Sequence, residues 1–291
     1  MIEPVFLHSP QYDCEALSRR IGVNTVLKVE TINPIRSFKG RGSDYLLHRL
    51  GGAVKPIVCA SAGNFGQGMA YACRKRGVPI TVFASDKASR LKLDRMRELG
   101  ARIELVVGDF DQAKDAARRH AGETGKLFIE DGLLGPIGEG AGTIALELTD
   151  RDEPLDAIFV PLGNGSLVNG VGTWMKHASP NTKVIAVCAE GAPSMGLSWK
   201  ARKAVEAPAE TIADGISVRT PIPAAVEITL QTVDEVMLVD DGAMRTWMGH
   251  LLGDAGLVVE PAAAAGVAAI AEAAGRWKGK RVATVLTGGN Y

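Results

Sequence analysis

The chain has 291 residues, enough for two lobes of ordinary size and too many for one small core. Hydrophobic residues make up 46% and charged residues 23%, an ordinary globular balance, and 33 basic residues cancel 33 acidic ones. No global field therefore draws the chain to nucleic acid or to an anionic membrane. The longest mainly apolar stretch, Leu257 to Ala274, is Ala-rich and contains Glu260, Pro261 and Glu272, which argues against a membrane span. The opening MIEPVFLHSPQYD has neither a basic start nor an apolar signal core. Cys14, Cys59, Cys73 and Cys188 form no CxxC pair and read as reduced thiols of a cytoplasmic protein.

Short β-rich runs alternate with helical segments along the chain. Thr25–Glu30 reads as a strand and Gly42–Leu50 as a helix. Pro56–Ala60 is a strand, followed by a helix over about Gly66 to Arg76. Ile80–Ala84 is a strand, Ser89–Leu99 a charged amphipathic helix, Arg102–Val107 a strand and Phe110–His120 a helix. In the second half, Gly140–Leu148 is a helix, Ala157–Pro161 a strand, Leu167 to His177 a helix and Val184–Ala189 a strand. Val236–Val239 is a strand, Asp241–Leu252 and Pro261–Ala274 are helices, and Val282–Leu286 is the last strand. Such alternation predicts an α/β fold of parallel sheets with helices on both faces. Ligands of such sheets sit at the carboxyl ends of the strands.

Glycine, at 34 residues, exceeds its usual share of about 7%. It clusters in three loops that directly follow strands: Ser61–Gly68 (SAGNFGQG), Gly163–Gly170 (GNGSLVNG) and Thr287–Asn290 (TGGN). The first two lead into helices, whose free N–H groups and positive dipole ends suit an anion. Each alone is also readable as a tight turn. A dinucleotide reading of the second loop fails on Val168, which stands where G-x-G-x-x-G needs its third glycine, and no Walker pattern occurs.

Lys39, in Asn33–Gly42 (NPIRSFKGRG), follows a strand and a Pro turn at the start of a helix. The positive dipole end there favours a neutral amine, which can form a Schiff base with an aldehyde. A solvated surface lysine is the alternative reading.

SFKGRG, SAGNFGQG, the glycine loop after VPL, TIADGISVR (Thr211–Arg219), LVVEPAAAA (Leu257–Ala265) and TGGN, in this order, resemble the fold-type-II pyridoxal-phosphate (PLP) enzymes. Within them the chain is most similar to the threonine/serine dehydratase and serine racemase branch. The resemblance runs from Asn33 to Asn290 and implies a two-lobed, tryptophan-synthase-β-like fold. Residues 1–52 and 134–291 would form the large PLP-binding lobe, and 53–133 a small lobe that moves on substrate binding. Lys39 would hold PLP covalently, with Phe38 on one ring face and room left at Gly215 on the other. Gly163, Asn164, Gly165, Ser166 and Leu167 would cradle the phosphate, and Asn64 would bond the ring's phenolic oxygen. Ser61, Ala62, Gly63, Asn64 and Phe65 would grip the substrate carboxylate. Thr287 would face the pyridine nitrogen, where a hydroxyl in place of a carboxylate leaves a weaker electron sink suited to β-elimination. The implied reaction is dehydration and deamination of threonine or serine to a 2-oxo acid and ammonia. In it the freed Lys39 takes the Cα proton, and the PLP phosphate helps protonate the leaving group.

The chain departs from the pattern in places. Ala62 stands where related serine racemases carry a proton-bearing Ser, so no efficient racemisation is expected. Phe65 replaces a frequent His. Arg36 replaces a frequent Gly and is either a reader of an acidic substrate group, a phosphate ligand or a solvated side chain. Glu260 is either a group near the cofactor or a helix-start carboxylate. Glu190 remains of a related divalent-cation site, but Gly196 replaces its Asp, which favours a monovalent ion or only water there, and the five histidines show no ligand spacing, so no divalent or transition metal is expected. The expected partners are a small amino-acid substrate and a second copy of the chain, with no nucleic acid and no membrane. No regulatory domain is expected after Asn290. Other readings are β-replacement or elimination on another β-substituted, acidic or phosphorylated amino acid, a nucleotide-dependent oxidoreductase, and a non-catalytic binding protein.

Overall fold

The computed structural model describes residues 1–52, 54–150 and 153–291. Its first half runs β1 (Gln11–Asp13), α1 (Glu15–Ile21), β2 (Asn24–Val29), α2 (Lys39–Leu50), β3 (Ile57–Ala60), α3 (Asn64–Arg76), β4 (Ile80–Ser85), α4 (Arg90–Glu98), β5 (Arg102–Val106), α5 (Phe110–Thr124) and β6 (Leu127–Ile129). The second half runs α6 (Gly135–Thr149), β7 (Ala157–Pro161), α7 (Ser166–Ala178), β8 (Lys183–Ala189), α8 (Ser194–Ala201), α9 (Pro223–Thr232), β9 (Glu235–Val239), α10 (Asp241–Ala255), α11 (Pro261–Glu272), α12 (Ala274–Trp277) and β10 (Arg281–Leu286). A 3-10 turn at Asp214–Ile216 lies between α8 and α9.

Two sheets organise the chain. One has six strands in the order β1-β2-β10-β7-β8-β9, the other four in the order β5-β4-β3-β6. Every pairing is parallel except β1 with β2, which is antiparallel. The strands read as near-continuous apolar runs because helices cover both faces. One face of the six-stranded sheet packs Ile158, Val160 and Val184 against Ile144, Val168 and Val171 of α6 and α7. The other packs Phe159, Ile185 and Val187 against Ala265, Ala268 and Ala269 of α11. The small side chains of α11 let it approach closely: a Cβ on Gly266 would lie 2.0 Å from Thr284 Oγ1. The four-stranded sheet packs Ile57 and Val82 against α3 and α4 on one face, and Val58 and Phe83 against Ala117 and Ala121 of α5 on the other. Helix α2 lies against α3 of one lobe and α6 of the other.

Helices α1, α8, α9 and α12 and strands β1 and β6 were not anticipated in the sequence. The two strands are three residues long, too short for a period. Helices α8 and α9 are rich in Ser and Thr, residues that ordinarily weaken a helix. Here Ser198, Thr229 and Thr232 bond the carbonyls four residues back, so the hydroxyls are satisfied inside the helix. The expected lobe boundary at 53 falls on a residue outside the described set. Among the described residues no helix is long and apolar enough to cross a membrane.

Candidate active site

A cavity of about 640 Å³ opens between the two sheets, at the carboxyl ends of β3, β6, β7 and β10. Lys39 reaches it from the turn after β2. Asn33 Oδ1 accepts from the N–H groups of Ile35 (3.1 Å) and Ser37 (3.2 Å), closing an Asx turn. The next residues pair with the closing TGGN segment: Phe38 N donates to Thr287 O (3.1 Å), Gly289 N donates to Arg36 O (3.0 Å), and Ser37 bridges Gly288. Lys39 then begins α2, and its Nζ lies 2.8 Å from Ser166 Oγ, 2.5 Å from Asp131 Oδ2 and 4.7 Å from the Phe38 ring centroid. Each lobe thus contributes to the surroundings of one amine.

The Ser61–Phe65 loop leaves β3 and turns into α3. Ser61 Oγ accepts from Gly63 N (3.2 Å) and Gly66 N (2.9 Å), which folds the loop back on itself. The first N–H groups of α3 have no partner within the helix and suit a carboxylate. The Gly163–Leu167 loop leaves β7 and turns into α7 in the same way. Gly165 takes φ +95°, and a Cβ on Gly163 would lie 2.8 Å from Gly215 O. Ser166 N donates to Asn164 Oδ1 at 3.3 Å.

Asn64 is held from two sides. Its Nδ2 donates to Glu260 Oε1 (2.7 Å), and its Oδ1 accepts from Asn290 Nδ2 (2.9 Å). One Nδ2 hydrogen remains for a ligand. Glu260 precedes α11 but makes no cap hydrogen bond with its side chain, which turns to Asn64 instead. Burial raises the Glu260 carboxyl above its usual range, with Lys92 at 3.7 Å opposing the rise. A Cβ on Gly288 would lie 1.7 Å from Glu260 Oε1, so only glycine fits beside this carboxylate.

Phe38, Lys39, Ser61, Ala62, Gly63, Asn64, Phe65, Gly163, Asn164, Gly165, Ser166, Leu167, Gly215, Glu260 and Thr287 all line the cavity. Arg36 does not. It is exposed, its backbone is left-handed (φ +49°), and its carbonyl accepts from Gly289 N, so the structure does not bring it together with the cavity residues.

Sequence reasoning gave no role to several residues around the cavity. Asp131 follows β6, a strand too short to be read. Asn290 lies in the quoted TGGN motif but had no task assigned. Lys92 is one of several charges on α4. It crosses to the other lobe, making a short ion pair with Asp214. Arg219 does the same in reverse, pairing with Asp109 at 3.0 Å and with Asp111. The four cysteines are buried and unpaired, and burial pushes the thiols of Cys73 and Cys188 up to about 12, which leaves no thiolate nucleophile there. Among the described residues no cluster of three or more His, Cys, Asp or Glu could hold a metal.

Residues 2–288 match the family of pyridoxal-phosphate dependent enzymes, and the chain belongs to that family. Over 99% of its length it is 34% identical to the biosynthetic L-threonine dehydratase IlvA of Halalkalibacterium halodurans, of which it covers 71%. Over 94% it is 35% identical to the L-threonine ammonia-lyase of Thermotoga maritima, of which it covers 69%. The processed form of threonine deaminase isoform 2 from Solanum lycopersicum superposes with a TM-score of 0.94 at 28% identity, over 99% of this chain and 85% of that one. The fold is accordingly that of the fold-type-II PLP enzymes.

The residues present fit PLP. Lys39 supplies an amine for the aldehyde, and Ser166 Oγ beside it marks the start of a helix whose free N–H groups suit a phosphate. Gly163 and Gly165 keep that loop clear of side chains where Cβ atoms would collide. The Thr287 hydroxyl, on the cavity wall, makes no hydrogen bond among the described residues and is available to a ring nitrogen.

Proposed function

We propose that the chain is a PLP-dependent ammonia-lyase that removes the β-hydroxyl of threonine or serine as water and releases a 2-oxo acid and ammonia. The observation that carries this reading is the convergence on Lys39 Nζ of the glycine loop at Ser166 and the Ser61–Phe65 loop, in one cavity between the lobes. When bound, PLP supplies an aldehyde that condenses with amines and a conjugated ring that draws electron density from the substrate Cα.

The chain's own residues do the rest. Lys39 holds the cofactor and, once released by the substrate amine, takes the Cα proton on Nζ. Residues 163–167 bind the phosphate, Phe38 and Gly215 bracket the ring, and Asn64, fixed by Glu260 and Asn290, donates to the phenolic oxygen. The Thr287 hydroxyl meets the ring nitrogen without protonating it fully. Residues 61–65 orient the substrate carboxylate, and Ala62 offers no proton for return to the opposite face of Cα. The lobe of residues 53–133 closes on the bound substrate and excludes water, Lys92 and Arg219 joining it to the other lobe. The protein works as a homodimer in the cytoplasm, a setting supported by its four unpaired cysteines.

The test is a visible spectrum of the PLP-loaded protein before and after addition of L-threonine, L-serine and L-threo-3-hydroxyaspartate, with 2-oxo acid assayed in the same cuvette. A yellow band that shifts with threonine or serine and accompanies oxo-acid release is expected. A band with no product from any of them would move the chemistry to other β-substituents or to β-replacement. No band at all would overturn the assignment of Lys39.

A further inference from the structure

Asn290 is buried, and both polar atoms of its side chain are committed. Its Nδ2 donates to Ile35 O (2.8 Å) and to Asn64 Oδ1 (2.9 Å), and its Oδ1 accepts from Arg95 Nη1. Asn64 Nδ2 donates in turn to Glu260 Oε1 (2.7 Å). All the donors therefore point one way, from Arg95 through Asn290 and Asn64 to Glu260. The path closes on the helix where it began. Lys92, one turn before Arg95 in α4, holds its Nζ 3.7 Å from Glu260 Oε2. Leu93 and Met96 pack α4 on the four-stranded sheet, whereas Asn290 follows β10 of the six-stranded one.

Direction matters because an amide can offer the cavity either an N–H or a C=O. Glu260 does not settle which one Asn64 presents. Burial raises its carboxyl, and a protonated carboxyl can donate to an amide oxygen as readily as it accepts from an amide nitrogen. Arg95 does settle it, because a guanidinium only donates. Asn290 must turn Oδ1 to Arg95 and Nδ2 to Asn64, and Asn64 must meet that nitrogen with its own Oδ1. The second Asn64 Nδ2 hydrogen is then left for the cavity, which Asn64 lines and neither Arg95 nor Asn290 touches.

We infer that Arg95 is a positioning residue: acting through Asn290, it locks the Asn64 amide as a hydrogen-bond donor towards the cofactor. The inference rests on the placement of the PLP phenolic oxygen beside Asn64 proposed above. A donor there favours the ionised oxygen and selects a ring that carries one.

The experiment compares two ligands that lack the aldehyde and so form no bond with Lys39: pyridoxine 5′-phosphate and its 3-deoxy analogue, which has no phenolic oxygen. Calorimetric titration of the full chain freed of cofactor gives both affinities. The wild-type protein should prefer pyridoxine 5′-phosphate by about tenfold or more, the worth of one charge-assisted hydrogen bond. In Arg95→Met that preference should fall below about threefold, while affinity for the 3-deoxy analogue stays within about twofold of wild type. Asn290→Asp is the second variant. It strengthens the contact with Arg95 but cannot donate to Asn64 Oδ1, so it should lose the preference as well. A merely structural role for Arg95 would weaken both ligands alike in Arg95→Met and spare the preference in Asn290→Asp. Equal weakening of both ligands, or a preference kept in either variant, would overturn the inference. If the wild-type protein binds both ligands equally, the assignment of Asn64 to the phenolic oxygen fails, and the role of Arg95 falls with it.

Discussion

Arg41 sits two residues beyond Lys39 in α2 and is fully buried. Its guanidinium donates to Glu30 Oε2 (2.9 Å) and Oε1 (2.8 Å), to Glu147 Oε1 (2.5 Å) and Oε2 (2.9 Å), to Thr143 Oγ1 (2.9 Å) and to Ser9 Oγ (3.1 Å). Lys28, also buried, adds a second cation on Glu147 at 2.5 Å. Two cations and two carboxylates therefore balance in the interior. Arg41→Met fills much the same volume but leaves one negative charge uncompensated there. Breaking a buried pair in this way costs about 3–5 kcal/mol. For a chain of this length unfolding entropy is about 0.6 kcal/mol per degree, so Tm should fall by roughly 5–8 °C. The double variant Arg41→Met/Glu147→Gln restores neutrality, leaving Lys28 facing Glu30, and should recover at least half of that loss. Thermal unfolding followed by circular dichroism at pH 7 on the four members of the cycle measures both. A Tm of the single variant within about 1 °C of wild type, or a double variant worse than the simple sum, would refute the charge-balance argument.

Three further outcomes are expected. Lys39→Ala should abolish turnover and the covalent cofactor link, read as loss of the yellow band after desalting. The Glu147 carboxyl is raised by burial, but hydrogen bonds from Arg41 and Lys28 outweigh this and hold it down to about 2, against an ordinary 4.5. A depressed carboxylate stabilises the fold above its unfolded value, so roughly 3 kcal/mol should be present above pH 4.5 and lost as pH falls towards 2. Denaturant melts at stepped pH should show this loss in wild type and a flatter profile in Glu147→Gln. L-Serine should give pyruvate with no D-serine by chiral chromatography, because Ala62 cannot return a proton. D-Serine formed at rates near elimination would contradict that.

The parallel α/β layers were legible because strands such as Ala157–Pro161 are unbroken apolar runs flanked by glycine loops and long helices. The cavity residues were legible because their loops carry motif and glycine spacing together. What escaped is carried by single residues whose neighbours lie far along the chain. Asp131 meets Lys39 across 92 positions, and Lys92 meets Asp214 across 122. No local period marks such pairs. Arg36 shows the converse: it is close in sequence to Lys39, which suggested a shared site, yet it is exposed and lies outside the lining of the cavity.

The position of β10 has a consequence for how the chain is made. The four-stranded sheet is built from one continuous run of the chain and can pair as soon as that run has emerged. The six-stranded sheet has its last-synthesised strand near the middle, between β2 and β7. Until β10 inserts, both neighbours present unpaired edges, and Thr287 and Gly288 are not yet there to hold the backbone before Lys39. The centre of this sheet therefore closes only after all its other strands have been made, and Lys39 gains the Thr287–Gly288 part of its surroundings only once β10 has inserted.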